Sequence, residues 1–440
     1  MQGYLDLMKQ FLAFRSISTD AQYKPDLAAT ADFLVNLLGS NWFEAKAITG
    51  YSNPIVYGHY VVDPSLATYL VYGHYDVQPA DLSEGWAQDP FDMLVKDDKI
   101  IARGAVDNKG QIMIHIYTIL ELIKNNQLKY NIKFMIEGDE ETGSPYLEKF
   151  MHDHKDILAC DVVMVSDGEI IWDHTPTIGA GFRGGCNMTI NLKTADVDMH
   201  SGLFGGIAPN SAYEATKLLS KLYNEKNWIG IDHYYDNVQE ITQDMIDNNK
   251  TLPINEEDIK HTTGIKALVV QEGYDIVTAN GLMPTIQISG LQSGYTGEGY
   301  RNAIPYTTTI KLNFRFAPGQ DPQGTIDLFK SWVAKELPAY VDCVIETSDP
   351  YPAITIKTDS EAVQQAAALL GKIYDKEAVF RYCGAAIPVT GLFQSVLGAS
   401  VIIADLANED CRMHGVDENF RLSCVEKWLQ FSREFFAKGE

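Results

Sequence analysis

Apolar and polar positions alternate in short blocks along the first 183 residues, and these blocks predict a layered α/β fold. Apolar runs rich in β-branched and aromatic residues lie at 69–72, 132–136 and 162–165. A stretch with helical spacing, residues 110–124, lies between the first two runs. Strands that alternate with helices favour a largely parallel sheet with helices on its faces.

The pattern changes after Arg183 and predicts a second, smaller α+β domain. Strand-like and helix-like segments then alternate at 186–192, 211–223, 307–316 and 325–336. From about Tyr382 the first pattern returns, with a buried strand at 400–404 and a closing helix at 424–438. We therefore expect the C-terminal part of the chain to complete the first domain.

The length of the chain agrees with this division, because 440 residues exceed the usual size of one domain. We predict a first domain built from residues 1–183 and 382–440, and a domain of residues 184–381 inserted into it. Apolar residues make up 45% of the chain, so each domain can bury a core.

Acidic residues outnumber basic residues by 59 to 35, and the formal net charge is -24. This charge repels phosphate backbones and anionic lipids, so nucleic-acid and membrane partners are not expected. Residues 1–14 have the spacing of an amphipathic helix, and no later apolar run approaches the ~20 residues of a membrane span.

The cysteines are scattered and form no Cys-x-x-Cys pair. The six residues are Cys160, Cys186, Cys343, Cys383, Cys411 and Cys424. Their spacing argues against a disulfide framework and against a thiolate zinc site. A cytoplasmic location is therefore expected.

Polar segments follow directly after the apolar runs, where open α/β sheets place their sites. His74 and Asp76 follow the first run. Residues two apart on an extended segment project to the same side, so Asp76 can bind the far ring nitrogen of a metal-bound His74. The similar stretch 56–60 lacks the following aspartate, and we interpret its His59 as structural.

Asp107 lies between a strand-like segment and the helix predicted at 110–124. An isolated aspartate at this place is more often the N-cap of the helix. Its two carboxylate oxygens could instead bridge two cations about 3.5–4 Å apart. The segment by itself leaves both interpretations open.

Four acidic residues crowd the turn after the strand at 132–136. They are Glu137, Asp139, Glu140 and Glu141. A solvated acidic loop is the common explanation, but carboxylates this close repel one another unless cations offset them. At the end of a buried strand, Glu140 and Glu141 can divide two tasks, in which one binds metal and the other takes a proton from the attacking water.

Asp167 ends the apolar run at 162–165, and His414 lies in a polar loop near the C-terminus. Either residue alone would more often be a turn residue or a surface histidine. The candidate ligands as a set are His74, Asp107, Glu141, Asp167 and His414. They would supply two three-ligand groups that share Asp107, with a carboxylate count that suits two divalent ions. Such ligands suit zinc, manganese and cobalt alike.

Eight motifs occur in an order that resembles a known family. They are GHYDVQP, ARGAVDNKGQ, EGDEETGS, SDG, RGG, DMHSGLFGG, NFRFAPGQDP and MHGVDENF. Their order is similar to that of the carnosinase, dipeptidase and aminoacylase family of co-catalytic zinc peptidases, above all the carnosinase and cytosolic non-specific dipeptidase branch. The similarity spans nearly the whole chain.

The resemblance implies a role for each matched residue of the metal centre. One metal would be held by His74, Asp107 and Asp167, and the second by Asp107, Glu141 and His414. Glu140 would be the general base and later the proton donor to the leaving amine, while Asp76 would orient His74. Two divalent ions, zinc first and manganese or cobalt as alternatives, are the implied cofactors.

The resemblance also implies that the inserted domain is a lid that carries the contact of a homodimer. His200 would reach a neighbouring active site and stabilise the oxyanion, and Arg315 would bind the substrate carboxylate. Relatives have a Gly-Gly-Ser-Ile-Pro-like loop at the carboxylate end of the substrate. This chain has Gly384-Ala385-Ala386-Ile387-Pro388, which lacks the hydroxyl at Ala386. Backbone N–H groups of Gly384 and Ala386 could still bind an anion there.

The expected function is that of a two-metal dipeptidase or short-chain carboxypeptidase that hydrolyses an amide bond in a small peptide. The alternative within enzymes is an N-acyl amino-acid deacylase that uses the same metal site. A third hypothesis is an inactive metal-binding scaffold. The presence of Glu140 and of all five candidate ligands argues against the scaffold.

Overall fold

The elements predicted for the first part of the chain form close to their expected bounds. The computed structural model describes residues 1–170, 175–384 and 388–439. The helix expected at 110–124 forms as Lys109–Lys124, and the strand expected at 69–72 extends over Thr68–His74. Both elements are buried over most of their length, which explains their nearly continuous apolar sequences.

The elements are numbered here in chain order. The strands are β1 (Glu44–Ile48), β2 (Ile55–Tyr60), β3 (Thr68–His74), β4 (Leu94–Lys96), β5 (Lys99–Ile101), β6 (Asn131–Glu137), β7 (Val162–Val165), β8 (Thr177–Phe182), β9 (Gly184–Lys193), β10 (Met199–His200), β11 (Thr285–Ser293), β12 (Ala303–Ile304), β13 (Thr307–Phe316), β14 (Asp342–Thr347), β15 (Ile354–Thr355), β16 (Val379–Cys383), β17 (Ser400–Ile403) and β18 (Asn419–Arg421). The helices are α1 (Gln2–Leu12), α2 (Lys24–Gly39), α3 (Lys109–Lys124), α4 (Leu147–Asp153), α5 (Lys155–Leu158), α6 (Ser201–Phe204), α7 (Ser211–Leu219), α8 (Gln243–Lys250), α9 (Glu256–Thr263), α10 (Ile276–Leu282), α11 (Pro322–Glu336), α12 (Glu361–Tyr374), α13 (Pro388–Leu392) and α14 (Leu422–Phe436).

A six-stranded sheet in the order β1-β2-β6-β3-β7-β17 forms the centre of the larger core. Strands β6, β3, β7 and β17 are parallel, and β1 and β2 add an antiparallel edge. Helix α3 packs against β3 of this sheet and against helices α1 and α14. The predicted α/β class, a mainly parallel mixed sheet flanked by helices, is confirmed.

The antiparallel direction of β2 separates the two similar stretches 56–60 and 71–75. His59 is opposite Lys133 near the start of β6, whereas His74 is opposite Glu137 at its end. The imidazole of His59 lies 3.7 Å from the carboxylate of Glu44. His59 is therefore at the other end of the sheet from His74.

A second core lies between the four-stranded sheet β11-β13-β9-β14 and helices α7 and α11. Helix α11 begins at Pro322, three residues earlier than expected, because Asp321 accepts a hydrogen bond from the N–H of Gly324 and proline is favoured in a first helical turn. Helix α7 ends at Leu219, earlier than the expected residue 223, and the chain turns there.

The larger hydrophobic core includes residues that precede position 381, the predicted end of the inserted domain. Val363, Ala366 and Leu370 of helix α12 belong to this core, and α12 packs against α14. Strand β16 pairs in parallel with β8, so the chain enters and leaves the inserted part through neighbouring strands. The division at 1–183, 184–381 and 382–440 stays a prediction.

Within the described residues, no helix has both the length and the apolar composition needed to cross a membrane. All six cysteines are free thiols.

Candidate metal centre

The candidate ligands meet at one edge of the central sheet because parallel strands end there together. His74 is the last residue of β3, and Asp167 follows the neighbouring strand β7 by two residues. Asp107 lies two residues before the start of helix α3, which packs on β3. Gly73 permits this close approach, since a Cβ there would lie 2.7 Å from the Asn108 side chain.

Two three-residue groups share Asp107 through different carboxylate oxygens. The Nε2 atom of His74 lies 3.1 Å from Asp107 Oδ1 and 3.6 Å from Asp167 Oδ1. The Nε2 atom of His414 lies 2.7 Å from Asp107 Oδ2 and 3.4 Å from Glu141 Oε2. Within each group, one ligand atom per residue lies within 4.8 Å of the others. The geometry thus matches the two predicted groups.

Asp107 does not cap helix α3. The N-cap position is Asn108, which makes no side-chain capping hydrogen bond, and the Asp107 carboxylate contacts the two imidazoles instead. Of the two interpretations open from sequence, the helix cap is therefore wrong.

Asp76 contacts both His74 and the turn that carries Glu140 and Glu141. Its carboxylate lies 3.3 Å from Nδ1 of His74, and its backbone carbonyl lies 3.0 Å from the same nitrogen. The carboxylate also accepts hydrogen bonds from the backbone N–H groups of Glu140 and Glu141, at 3.2 and 3.1 Å. Asp76 therefore orients the imidazole and holds the turn that carries both glutamates.

The acidic run after β6 divides into structural and site residues. Glu137 accepts hydrogen bonds from Tyr72 at 2.6 Å and Ser144 at 2.9 Å. Asp139 accepts hydrogen bonds from the backbone and side chain of Asn53. Only Glu140 and Glu141 are left for the ligand cluster, so the run is not a solvated loop.

One carboxylate oxygen of Glu141 is suited to a cation. Its Oε2 atom accepts a hydrogen bond of 2.7 Å from Gln78, but its Oε1 atom is buried and has no hydrogen-bond partner. A buried, unpaired carboxylate oxygen is costly, and a bound cation would remove that cost. Two imidazoles and three carboxylates are the donors that divalent metals such as zinc accept. The residues present therefore fit a pair of divalent ions.

The charges of the cluster shift its titrations strongly. Burial lowers the pKa of His74, but the facing carboxylates of Asp167 and Asp107 outweigh burial and raise it well above its usual value. Hydrogen bonds to Asp107 and Glu141 raise the pKa of His414 to about 10. Burial raises the pKa of Glu140, and the carboxylates of Asp167 and Asp107 add to this rise. The carboxylates of the cluster thus favour the protonated, positively charged form of both histidines and the neutral form of Glu140.

Asn108 supports the centre and was not identified from the sequence. Its Nδ2 atom donates to Asp167 Oδ1 at 2.9 Å and to the carbonyl of Ser166 at 2.6 Å. Its Oδ1 atom accepts from the N–H of His74 at 3.3 Å. The only sequence signal was its place directly after Asp107.

Glu418 joins the loop of Asp107 to the loop of His414 and was also not identified. Its buried carboxylate accepts hydrogen bonds from the N–H groups of Gly104, Val106 and Asp107 at 2.9–3.1 Å. It also forms an ion pair of 2.7 Å with Arg103, in which the two side chains are 0% and 3% exposed.

Arg103 completes this connection. It donates a hydrogen bond of 3.2 Å to the carbonyl of His414. Its guanidinium also lies over the ring of Trp86, 5.4 Å from the centroid. One buried ion pair therefore positions ligands from segments about 310 residues apart in the chain.

Replacing Glu418 by Gln is expected to destabilise the protein by about 3 kcal/mol, because Arg103 is left as a buried, unpaired cation. The free energy of unfolding, measured with urea on metal-depleted protein, excludes a contribution from metal binding. Glu426→Gln, on the exposed face of α14, is the matched control. Equal stability of both variants would contradict this role of the pair.

The described residues among those predicted to bind substrate belong to other elements than the candidate ligands. His200 is exposed, and its Nδ1 atom accepts a hydrogen bond of 3.0 Å from the N–H of Gly202. Arg315 is half-buried on β13 and donates to the hydroxyl of Tyr351 at 3.1 Å. Gly384 follows β16, and its carbonyl accepts a hydrogen bond from Arg183. Ala386 lies outside the described residues.

Comparison with protein-family models gives a match over most of the chain. The model described as peptidase family M20/M25/M40 matches residues 70–438. The β-Ala-His dipeptidase of Homo sapiens is 28% identical over 403 residues, which cover 88% of this chain and 78% of that protein. The Cys-Gly metallodipeptidase dug1 of Schizosaccharomyces pombe is 26% identical and covers 97% and 93% of the two chains.

Two solved structures have the same fold as this chain. The M20 family metallo-carboxypeptidase Sso-CP2 from Sulfolobus solfataricus superposes with a TM-score of 0.87 at 28% identity, over 99% of both chains. Human carnosine dipeptidase 1 superposes with a TM-score of 0.77 at 24% identity, over 99% of this chain and 95% of that chain.

Proposed function

This chain belongs to peptidase family M20/M25/M40, and we propose that it hydrolyses the amide bond of dipeptides or short peptides with two divalent metal ions. The observation that supports this most is the pair of three-residue groups that share Asp107, with Glu140 beside them. The similar proteins named dipeptidases and a carboxypeptidase support the same class of substrate.

We propose that the ligands of one ion are His74, Asp107 and Asp167, and those of the other Asp107, Glu141 and His414. The donor set and the unpaired Oε1 atom of Glu141 support this assignment. Zinc is the first choice, with manganese and cobalt as alternatives. When bound, the ions would polarise the scissile carbonyl and make a water molecule easier to deprotonate.

Glu140 is proposed to take the proton from the attacking water and to deliver it to the leaving amine. Its carboxylate lies 3.9 Å from Nε2 of His74, so it borders the ligand cluster. Its side chain is 23% exposed, so water and substrate can reach it. Asp76 holds both His74 and the backbone of Glu140 in place, which fixes the distance between base and ligands.

Arg315 is proposed to bind the substrate carboxylate with its guanidinium fork, assisted by backbone N–H groups at Gly384 and Ala386. His200 is proposed to act in the neighbouring subunit of a homodimer, where it would stabilise the oxyanion. Its exposed position and the exposed apolar side chains near it support such a contact. These side chains are Val197, Leu203, Phe204 and Ile207. The free cysteines support a cytoplasmic location.

A substrate panel tests the proposed function. Purified protein with added zinc or manganese is incubated with free dipeptides, N-acetyl amino acids and N-succinyl amino acids. We expect dipeptides to be cleaved at least about 10-fold faster than acyl substrates, since the latter lack the free amine. A chelator should abolish the activity, and added metal should restore it. Cleavage of acyl substrates alone would make the protein a deacylase, and no cleavage with metal bound would favour the inactive scaffold.

A further inference from the structure

A cavity of about 720 Å³ opens beside Arg315, against strands β11 and β13. Two guanidinium groups line it, those of Arg183 and Arg315, together with amide side chains such as Asn227, Asn280 and Gln287. None of the described residues that line it is acidic, although the protein carries a net charge of -24. A region of positive charge on such an acidic protein is suited to an anionic ligand.

Arg183 is buried, at 8% exposure, and its hydrogen bonds to the described residues all go to neutral groups. Its Nε atom donates to the carbonyl of Gly384 at 3.1 Å, and its Nη1 atom donates to the carbonyl of Met283 at 3.1 Å. Burial and, to a lesser extent, the nearby charge of Arg315 lower its pKa to about 10. Among the described residues, no carboxylate lies within ion-pair distance of either arginine. An incoming carboxylate would offset this uncompensated charge.

Short contacts connect the cavity to the metal centre. Arg183 follows strand β8, which pairs with β16. On β16, Arg381 donates a hydrogen bond of 3.2 Å to the carbonyl of Glu169, two residues after the candidate ligand Asp167. Gly384 follows the same strand and packs against Arg183 and Asn280. Strand β16 and the residue after it therefore contact the segment after Asp167 at Arg381 and the cavity residue Arg183 at Gly384.

We propose that this cavity is a subsite for the side chain of the C-terminal residue of the substrate, and that it selects an acidic side chain. This inference rests on the proposed function, in which Arg315 binds the terminal carboxylate. Arg183 then binds the second carboxylate, and the amides of Asn280 and Gln287 donate to it. The volume lies within the ~300–1,000 Å³ of small-molecule sites, so an aspartate or glutamate side chain can enter it.

The test compares substrates of equal shape and different charge. The values of kcat/KM are measured for Ala-Glu and Ala-Gln, and for Ala-Asp and Ala-Asn, with the metal-loaded enzyme. We expect each acidic peptide to be preferred at least about 10-fold, because a charge-assisted hydrogen bond is stronger than a neutral one. Equal kcat/KM within each pair overturns the inference but leaves the proposed function standing. Failure to cleave any peptide overturns both.

A change of charge at Gln287 tests whether this cavity is the source of the preference for acidic peptides. Gln287 is exposed at the cavity on β11, so Gln287→Glu adds a negative charge there with little risk to folding. We expect the preference for Ala-Glu over Ala-Gln to fall at least about threefold, through repulsion between like charges. Gln292→Glu makes the same change on β11 outside the cavity and should keep the preference of the original protein. An unchanged preference in Gln287→Glu overturns the assignment of the subsite.

Discussion

Replacing Glu140 by Gln is expected to lower kcat for dipeptide hydrolysis by about 10³-fold, within the range that general acid–base catalysis contributes. The amide has nearly the same shape as the carboxylate, but it cannot take a proton from water or return it to an amine. Glu140 is not among the residues of the two ligand groups. Metal content should therefore stay at that of the original protein.

Steady-state kinetics at saturating metal, together with metal analysis of the purified variant, check this result. Glu148→Gln is the matched control, since Glu148 lies on helix α4 with a side chain that is 68% exposed. A Glu140→Gln variant with normal kcat would refute the assignment of the general base. A variant that also lost metal would show that Glu140 acts as a ligand instead.

Replacing Asp107 by Asn is expected to weaken the binding of both ions by more than about 100-fold and to abolish activity. The two oxygens of Asp107 contact different histidines, at 3.1 Å for His74 and 2.7 Å for His414. Asparagine offers one neutral oxygen and an N–H₂ group that repels a cation, so it cannot serve both groups. Even residues that only support a ligand cost about 10–100-fold in affinity when removed.

Metal analysis after dialysis against a metal buffer measures the effect of Asp107→Asn. We expect the loss of both ions per chain, because the two groups have this one residue in common. Asp156→Asn, at an exposed position of helix α5, is the control for the change of charge. Retention of one ion would mean that the groups are independent and that Asp107 does not bridge them.

Most elements of the central sheet were predictable because their burial leaves a direct trace in the sequence. Strand β7 forms at Val162–Val165 as expected, since all four of its residues are buried. Helix α12 leaves a weaker trace. Its amphipathic sequence shows that it covers a core, but it does not show which of the two cores it covers.

The candidate ligands were identified by their residue types and positions at strand ends, and by their order along the chain. Their supports were not, because a supporting residue is recognised only by its contacts. Asn108 and Glu418 are ordinary polar residues in sequence, and they become important through hydrogen bonds to Asp167 and to the backbone of Asp107. The same holds for Arg183, whose sequence neighbours give no sign of the cavity that it lines.

The class of the fold, the candidate ligand types and the motif order that marks the family could all be predicted from the amino-acid sequence. Such features are local, since they depend on the periodicity of a segment or on the chemistry of a side chain at its end. The folded structure was needed to show that Asp107 faces two histidines and that Glu418 holds two distant loops together. It also brought Arg183 and Arg315 to one cavity. Contacts of this kind depend on how distant segments pack against each other, and a pattern confined to one segment carries no record of that packing.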